Sequence, residues 1–405
     1  MTTFAIVGGG LAGATAVQTL RDEGFDGELV LLGDELHRPY ERPPLSKEYL
    51  QAKSPRDKVF VHPEGWYAEH DVDLRLGVSA TALDVQARRL LTSDGSSVQY
   101  DSLLIATGST PRRIAMPGAD LDGVLSLRRL DDSDRIRAAF AARPSVVIVG
   151  AGWIGLETAA AARVAGLSVT VLEQAAAPLA RILGSRMSAM FSQLHRDNGV
   201  DLRCGVTISE IIGTSGRVTG VRLGDGTEIE ADLVLVGVGI SPETSLAETA
   251  GLAISNGITV DEHLRTSDPD VYAAGDVADA FHPLLGHRLR VEHWANARRQ
   301  GAVAARSMLG QDVVYARLPY FFSDQYDLGM EYTGYVNPAG VEDVVVRGDL
   351  AGRRFVAFWL VDGRVRAGMS VNVWDATEAV EELITTGGRV DAASLADPDV
   401  PLPTG

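Results

Sequence analysis

Phe4-Ala-Ile-Val-Gly-Gly-Gly-Leu-Ala-Gly13 and Val146-Val-Ile-Val-Gly-Ala-Gly-Trp-Ile-Gly155 are two copies of one pattern. Each is a short apolar run that closes on Gly-x-Gly-x-x-Gly, at Gly8, Gly10 and Gly13 in the first copy and at Gly150, Gly152 and Gly155 in the second. A buried strand that enters a helix through such a turn is the geometry of a dinucleotide cradle. Glycine is needed because the turn strains the backbone, the pyrophosphate approaches it closely, and the helix packs near the strand. The helix N-terminus then offers amide donors and a favourable dipole to phosphate. One such turn is weak evidence; two with matching flanks are strong.

The sequence around each turn continues the same plan. After the first comes a helical stretch from Ala12 to Glu23, a strand from Glu28 to Leu32, and Gly33-Asp34-Glu35. An acidic residue about 20 positions beyond the last glycine accepts hydrogen bonds from the adenosine ribose, and Asp34 and Glu35 are both candidates. After the second come a helix from Leu156 to Val164, a strand from Ser168 to Leu172, and Glu173. No arginine or lysine follows in Gln174-Ala-Ala-Ala177, which favours NADH over NADPH; Arg181 is the nearest cation that would reverse this.

Leu103 to Gly108, closing on Thr107-Gly108, and Leu233 to Gly239 read as strands returning to the two nucleotide-binding sheets. The first domain resumes after Pro242, with Ala274-Gly275-Asp276 at the mouth of another apolar strand. From Pro319 the pattern changes to strands at Val344 to Arg347, Arg353 to Val361 and Arg364 to Val371, the last two joined by a tight Asp362-Gly363 turn. A helix follows, with Asp375 and Glu378 as its expected capping pair and Gly387 at its end, and the tail after Ser394 reads as extended on the surface. The expected fold is α/β, two Rossmann-like dinucleotide-binding domains and a smaller α+β C-terminal domain. Residues 1–111 and 243–318 would form the first domain, 112–242 the second and 319–405 the third.

Composition narrows the chemistry. The 405 residues carry a formal charge of −17, which argues against a general nucleic-acid binder, and no apolar run reaches membrane-spanning length. The first strand begins directly after Met1-Thr-Thr3, without a basic and apolar leader, so the expectation is a cytoplasmic protein. Cys204 is the only cysteine, which excludes a dithiol–disulfide relay within the chain. It lies in a strand-like run and reads as a small buried hydrophobe. Eight histidines are scattered, and the closest group, His282, His287 and His293, lacks the spacing of a metal site.

Seven segments in order resemble one family over nearly the whole chain: Val7 to Gly13, Arg42-Pro-Pro-Leu-Ser-Lys47, Ala106-Thr-Gly108, Gly150 to Glu157, Ala274-Gly-Asp276, Glu292-His-Trp-Ala-Asn296 and Phe322-Ser-Asp-Gln-Tyr326. The family is that of the FAD-dependent, NADH-using ferredoxin reductases of bacterial P450 and Rieske oxygenase systems, with a glutathione reductase-type fold. The resemblance implies FAD as cofactor, NADH as substrate, and a [2Fe-2S] ferredoxin as partner, in a monomer or weak dimer. It implies FAD contacts at Ala12, Asp34, Arg42, Lys47, Ala80, Arg128, Gly275, Asp276 and Trp294, with Arg129 leaving the register of Arg128 open. It implies NADH contacts at Ile154, Glu173 and Gly239. Lys47, near the flavin N5 edge, would pair with Glu157 to orient the nicotinamide and balance changing charge, and Trp294 would stack on a cofactor ring. The competing readings are two unrelated surface charges and an ordinary core tryptophan. Arg288, Arg290, Arg298, Arg299 and Arg306 cluster in an acidic chain and offer a docking patch for an acidic ferredoxin. A rubredoxin reductase, an NADH oxidase, or a non-catalytic redox switch in the manner of apoptosis-inducing factor would share the cofactor motifs.

Overall fold

The computed structural model describes residues 1–337, 341 and 343–402. They group into two compact units. The first comprises Met1–Glu41, Arg56–Thr110 and Ser241–Pro319; the second comprises Arg42–Pro55, Pro111–Ile240 and Tyr320–Gly405.

The first unit is built on a five-stranded parallel sheet in the order Val271–Ala273, Ser102–Ile105, Thr3–Val7, Glu28–Gly33, Val72–Leu76. The inner strands of a parallel sheet are buried on both faces, so their sequences are apolar without alternation, whereas the edge strand Val72–Leu76 alternates through Asp73 and Arg75. Ala5, Ile6, Val30, Leu31, Leu103 and Leu104 are accordingly sealed from solvent. Helices Leu11–Asp22 and Trp294–Met308 pack against each other, and small residues let them approach. A Cβ on Gly301 would lie 2.4 Å from the Ala12 carbonyl oxygen. The unit also holds an antiparallel meander, Ala80–Asp84, Arg89–Thr92 and Ser97–Gln99.

The second unit repeats the plan with the parallel order Asp201–Cys204, Val169–Glu173, Val146–Val149, Leu233–Val236, Val124–Leu125, and adds the meander Ile208–Thr214, Arg217–Leu223, Glu228–Glu230. Its C-terminal part is a five-stranded antiparallel sheet in the order Tyr320–Gln325, Leu328–Gly334, Arg364–Val371, Arg354–Val361, Asp343–Asp349, covered by helix Thr377–Thr386. Asp362 and Gly363 take φ of 53° and 66°, the left-handed pair that a two-residue hairpin demands. The α/β class with two Rossmann-like sheets and a smaller α+β part is thus present. Neither three-stranded meander was expected, because their strands are short and largely polar.

Three expectations at the C-terminal end and at Cys204 need correction. Helix Thr377–Thr386 starts after Ala376 with no side-chain cap, so Asp375, in a left-handed conformation at φ 74°, does not cap it; Gly387 does close it, at φ 63°. The tail is not wholly extended. Ala392–Ala396 is a helical turn capped by Asp391, whose carboxylate accepts from the Ser394 amide at 2.9 Å, and the Arg347 guanidinium donates to the carbonyls of Pro398 and Val400. Cys204 ends the strand Asp201–Cys204 half-buried rather than buried, and that burial pushes its thiol up.

Candidate functional site

The first cradle is fixed by main-chain bonds. The Gly8 amide donates to Leu32 and the Ala106 amide to Val7, which ties the turn between two strand ends. At φ +124°, a Cβ on Gly8 would lie 2.1 Å from the Ala106 carbonyl oxygen, and one on Gly13 would lie 2.2 Å from that of Gly8. Gly10 differs: a Cβ there meets nothing within 4 Å. Helix Leu11–Asp22 begins at Gly10 with no side-chain cap and no acidic residue in its first turn. Its N-terminal dipole therefore faces open space beside an uncrowded glycine, which fits a phosphate-bearing cofactor.

The second cradle reproduces this bond for bond. Gly150 donates to Leu172 and Gly237 to Val149. At φ +103°, a Cβ on Gly150 would meet the Gly237 carbonyl oxygen at 2.4 Å, one on Gly155 would meet Gly150 at 2.1 Å, and one on Gly152 would meet nothing within 4 Å. Helix Trp153–Val164 also starts uncapped and without an acid in its first turn. Glu173 ends the adjacent strand and turns its carboxylate over this loop, accepting from the amides of Ala151 and Ala175, each at 2.7 Å. An anion so placed accepts ribose hydroxyls and repels a 2′-phosphate. Ile154 stands 45% exposed on the first helical turn, Gly239 adopts φ +103°, and Arg181 is exposed in the first turn of helix Ala180–Asp197.

At the end of the first unit's second strand the two acidic candidates separate. Asp34 is exposed, while Glu35 is half-buried and accepts from the Tyr40 hydroxyl at 2.6 Å. Thr107 donates to the Glu243 carbonyl at 2.7 Å, and Gly108 turns at φ +72°. Gly275 is left-handed at +82°, with its amide held by Gln300 Oε1 at 2.8 Å, and a Cβ there would approach Ala12 Cβ to 3.2 Å. Asp276 follows it on the 3₁₀ turn Gly275–Val277. Ala80 opens the first strand of the meander. Trp294 is the first residue of its helix, half-buried, with the Arg298 guanidinium 5.5 Å from its ring centre. Burial holds the neighbouring His293 imidazole down to about 4, against the pull of Asp276.

In the second unit, Lys47 and Glu157 are brought together and buried, at 7% and 3% exposure, with Nζ 2.8 Å from Oε2. They are not unrelated surface charges. Lys47 follows the short turn Pro43–Ser46, and Glu157 lies one turn into helix Trp153–Val164. Oε2 also accepts from Ser46, and Oε1 accepts from Ser323 at 2.7 Å, so three donors converge on one carboxylate. Ser46 and Ser323 went unremarked in the sequence, although both lie in segments that carry the family resemblance. Arg42 donates to the Arg128 carbonyl, while Asp132 accepts from the amides of Arg128 and Arg129 just ahead of helix Leu130–Phe140.

The arginine cluster is more engaged than its sequence suggests. Arg290 pairs with Glu292, and Arg306 with Glu23 at 2.7 Å. Arg288 donates to the Val260 and Asp279 carbonyls, and Arg299 to Leu318 at 3.1 Å. Arg298 is exposed. His282 donates to the Arg317 carbonyl at 3.0 Å, and His287 to Leu285 at 2.9 Å. Among the described residues, no helix is long and apolar enough to cross a membrane.

Residues 2–301 match the model of the pyridine nucleotide-disulphide oxidoreductase family, and residues 320–404 match a reductase C-terminal domain. The chain is 39% identical to the probable ferredoxin reductase CtmF of Castellaniella defragrans, over 98% of this chain and 96% of that one. It is equally identical, at 39%, to the ferredoxin–NAD(+) reductase component of the anthranilate 1,2-dioxygenase system of Burkholderia cepacia, over 99% and 98%. Among solved structures it superposes on the reductase of the covalent putidaredoxin reductase–putidaredoxin complex with a TM-score of 0.95, at 35% identity over 99% of this chain and 97% of the other.

Proposed function

This chain belongs to the pyridine nucleotide-disulphide oxidoreductase family, and from that premise we propose that it is an NADH-dependent ferredoxin reductase of an oxygenase system. The observation that carries the reading is the duplicated, uncapped glycine cradle, one for a resident FAD and one for NADH. Bound FAD supplies the exchange between a two-electron hydride donor and a one-electron [2Fe-2S] acceptor. A single cysteine supports direct delivery to the acceptor, since an internal dithiol relay needs two.

The protein's own groups then take these roles. Amides at the start of helix Leu11–Asp22 bind the FAD pyrophosphate, Asp34 or Glu35 takes its ribose, and Asp276 takes a further hydroxyl. Helix Trp153–Val164 binds the NADH pyrophosphate, Ile154 lies along the dinucleotide, and Glu173 selects NADH. The FAD contacts of Arg42, Lys47, Ala80 and Arg128 rest on the family resemblance. Lys47, held by Glu157, supplies a fixed cation that balances charge during the hydride step. Trp294 offers its ring to a cofactor. Residues 1–111 and 243–318 form the FAD domain, 112–242 the NADH domain and 319–405 the third domain. Arg298, with Arg288, Arg290, Arg299 and Arg306 grouped near it in sequence, forms the docking face for an acidic ferredoxin. A cytoplasmic monomer or weak dimer is the form we expect.

Anaerobic stopped-flow mixing of the FAD-loaded protein with NADH tests this reading. Flavin bleaching within about a second is expected for an enzyme of ordinary turnover. Bleaching over minutes would point to a redox switch instead, and rapid NADH consumption with oxygen alone would point to an NADH oxidase.

A further inference from the structure

Glu157 is also the end of a buried chain that the reading above leaves unused. Ser323 and Gln325 alternate on strand Tyr320–Gln325, so both face the same side, each 1% exposed. Ser323 Oγ donates to Glu157 Oε1 at 2.7 Å, and Gln325 Nε2 donates to Ser323 Oγ at 3.1 Å. Gln325 Oε1 then meets Nε2 of His195, a fully buried residue near the end of helix Ala180–Asp197, at 2.8 Å. Tyr326 lies on the other ring nitrogen, with its hydroxyl 3.3 Å from Nδ1.

The chemistry of the partners fixes the direction of every bond. A carboxylate only accepts, so Ser323 gives it its hydroxyl proton and must itself accept from the Gln325 amide. That leaves the Gln325 carbonyl facing His195, which must carry its proton on Nε2 and accept from Tyr326 at Nδ1. Tyr326, His195, Gln325 and Ser323 are thus donors in series, all pointing at Glu157. Such a series polarises cooperatively in a dry interior and penalises a carboxylate that swings away.

We infer that Ser323, Gln325 and His195 are positioning residues that aim the Glu157 carboxylate, and through it the Lys47 ammonium, for hydride transfer. The inference rests on the role proposed for the Lys47–Glu157 pair. It assigns a task to the Phe322–Tyr326 segment beyond sheet formation: the strand delivers two side chains to a helix of the cradle.

The test combines three measurements on the FAD-loaded protein. Ser323→Ala should slow NADH-driven flavin reduction at saturating NADH about tenfold, the loss expected of one hydrogen bond to a charged group, and Gln325→Met about threefold, since its amide bonds only the neutral Ser323 hydroxyl, with KM for NADH nearly unchanged in both. Ser323→Thr, which keeps the hydroxyl, should restore the rate. Nitrogen-15 NMR of the His195 imidazole should find the proton on Nε2 in the unsubstituted protein, with or without flavin, and that preference should weaken in Gln325→Met. Wild-type rates in folded Ser323→Ala and Gln325→Met, or a proton on Nδ1, would overturn the inference. Glu157→Gln separates the two levels. If it slows flavin reduction while the Ser323 and Gln325 variants do not, the relay alone falls; if it has no effect, the role of the Lys47–Glu157 pair falls and the relay with it.

Discussion

A methyl group added at Gly8 would sit 2.1 Å from the Ala106 carbonyl oxygen, whereas one at Gly10, two residues on, would meet nothing within 4 Å. Gly8→Ala should therefore damage the fold itself, through a clash and a left-handed backbone together. Gly10→Ala should fold normally, with a melting temperature near wild type, yet purify with much less flavin because the methyl occupies the cradle. Equal flavin content in the two variants would contradict this division. Glu173→Gln removes the anion over the second loop and should narrow the NADH preference over NADPH by about tenfold, read as the ratio of kcat/KM values. His195 gives a pH signature. Burial lowers its imidazole to about 4, so at neutral pH it is uncharged in the folded state and mostly uncharged in the unfolded one. As pH falls below about 6.5 the unfolded chain binds a proton that the folded chain refuses, so stability declines until about pH 4 and the dependence then ends, a total of about 3 kcal/mol. His195→Gln should lose that part of the acid slope in urea unfolding, and an unchanged slope would place the sensitivity elsewhere. The cradle glycines, Glu173 and the Asp34–Glu35 pair were legible in the sequence because each lies within a few residues of a strand end. Ser46, Ser323, Gln325 and His195 were not, since Ser46 and Ser323 reach Glu157 across separations of 111 and 166 residues and no local pattern marks the meeting.

Helices and strands show the same division. The inner parallel strands are visible as apolar runs because burial on both faces removes any need for polar residues, whereas the edge strand Val72–Leu76, interrupted by Asp73 and Arg75, is not. The meanders at 80–99 and 208–230 leave no clear sequence signature because each strand is partly solvated and only three to seven residues long. The contact of helices Leu11–Asp22 and Trp294–Met308 was equally hidden: it depends on Gly301 having no side chain where it meets the Ala12 backbone. Gly301→Val should destabilise the protein by about 2 kcal/mol or more, because the rigid carbonyl cannot yield as a flexible side chain would. Since Ala12 belongs to the helix proposed to cradle FAD, the variant should also release flavin at a lower temperature than it unfolds. Flavin fluorescence and circular dichroism melts that coincide with wild type would refute this.

For the molecule as a whole, a formal charge of −17 and the ion-pairing of Arg290 and Arg306 would confine the proposed docking of an acidic partner to a small part of the surface around Arg298. Arg298→Glu should raise the KM for ferredoxin several-fold, more strongly at low salt, while NADH-driven ferricyanide reduction stays the same. Equal loss in both assays would indicate damage to the flavin site instead. Electrons should enter as hydride and leave singly to an iron–sulfur protein without a thiol relay. Anaerobic cytochrome c reduction by NADH, with and without an added [2Fe-2S] ferredoxin, tests it most directly. The rate should rise and saturate with ferredoxin and be close to zero without it. A rate that is the same in its absence would contradict it.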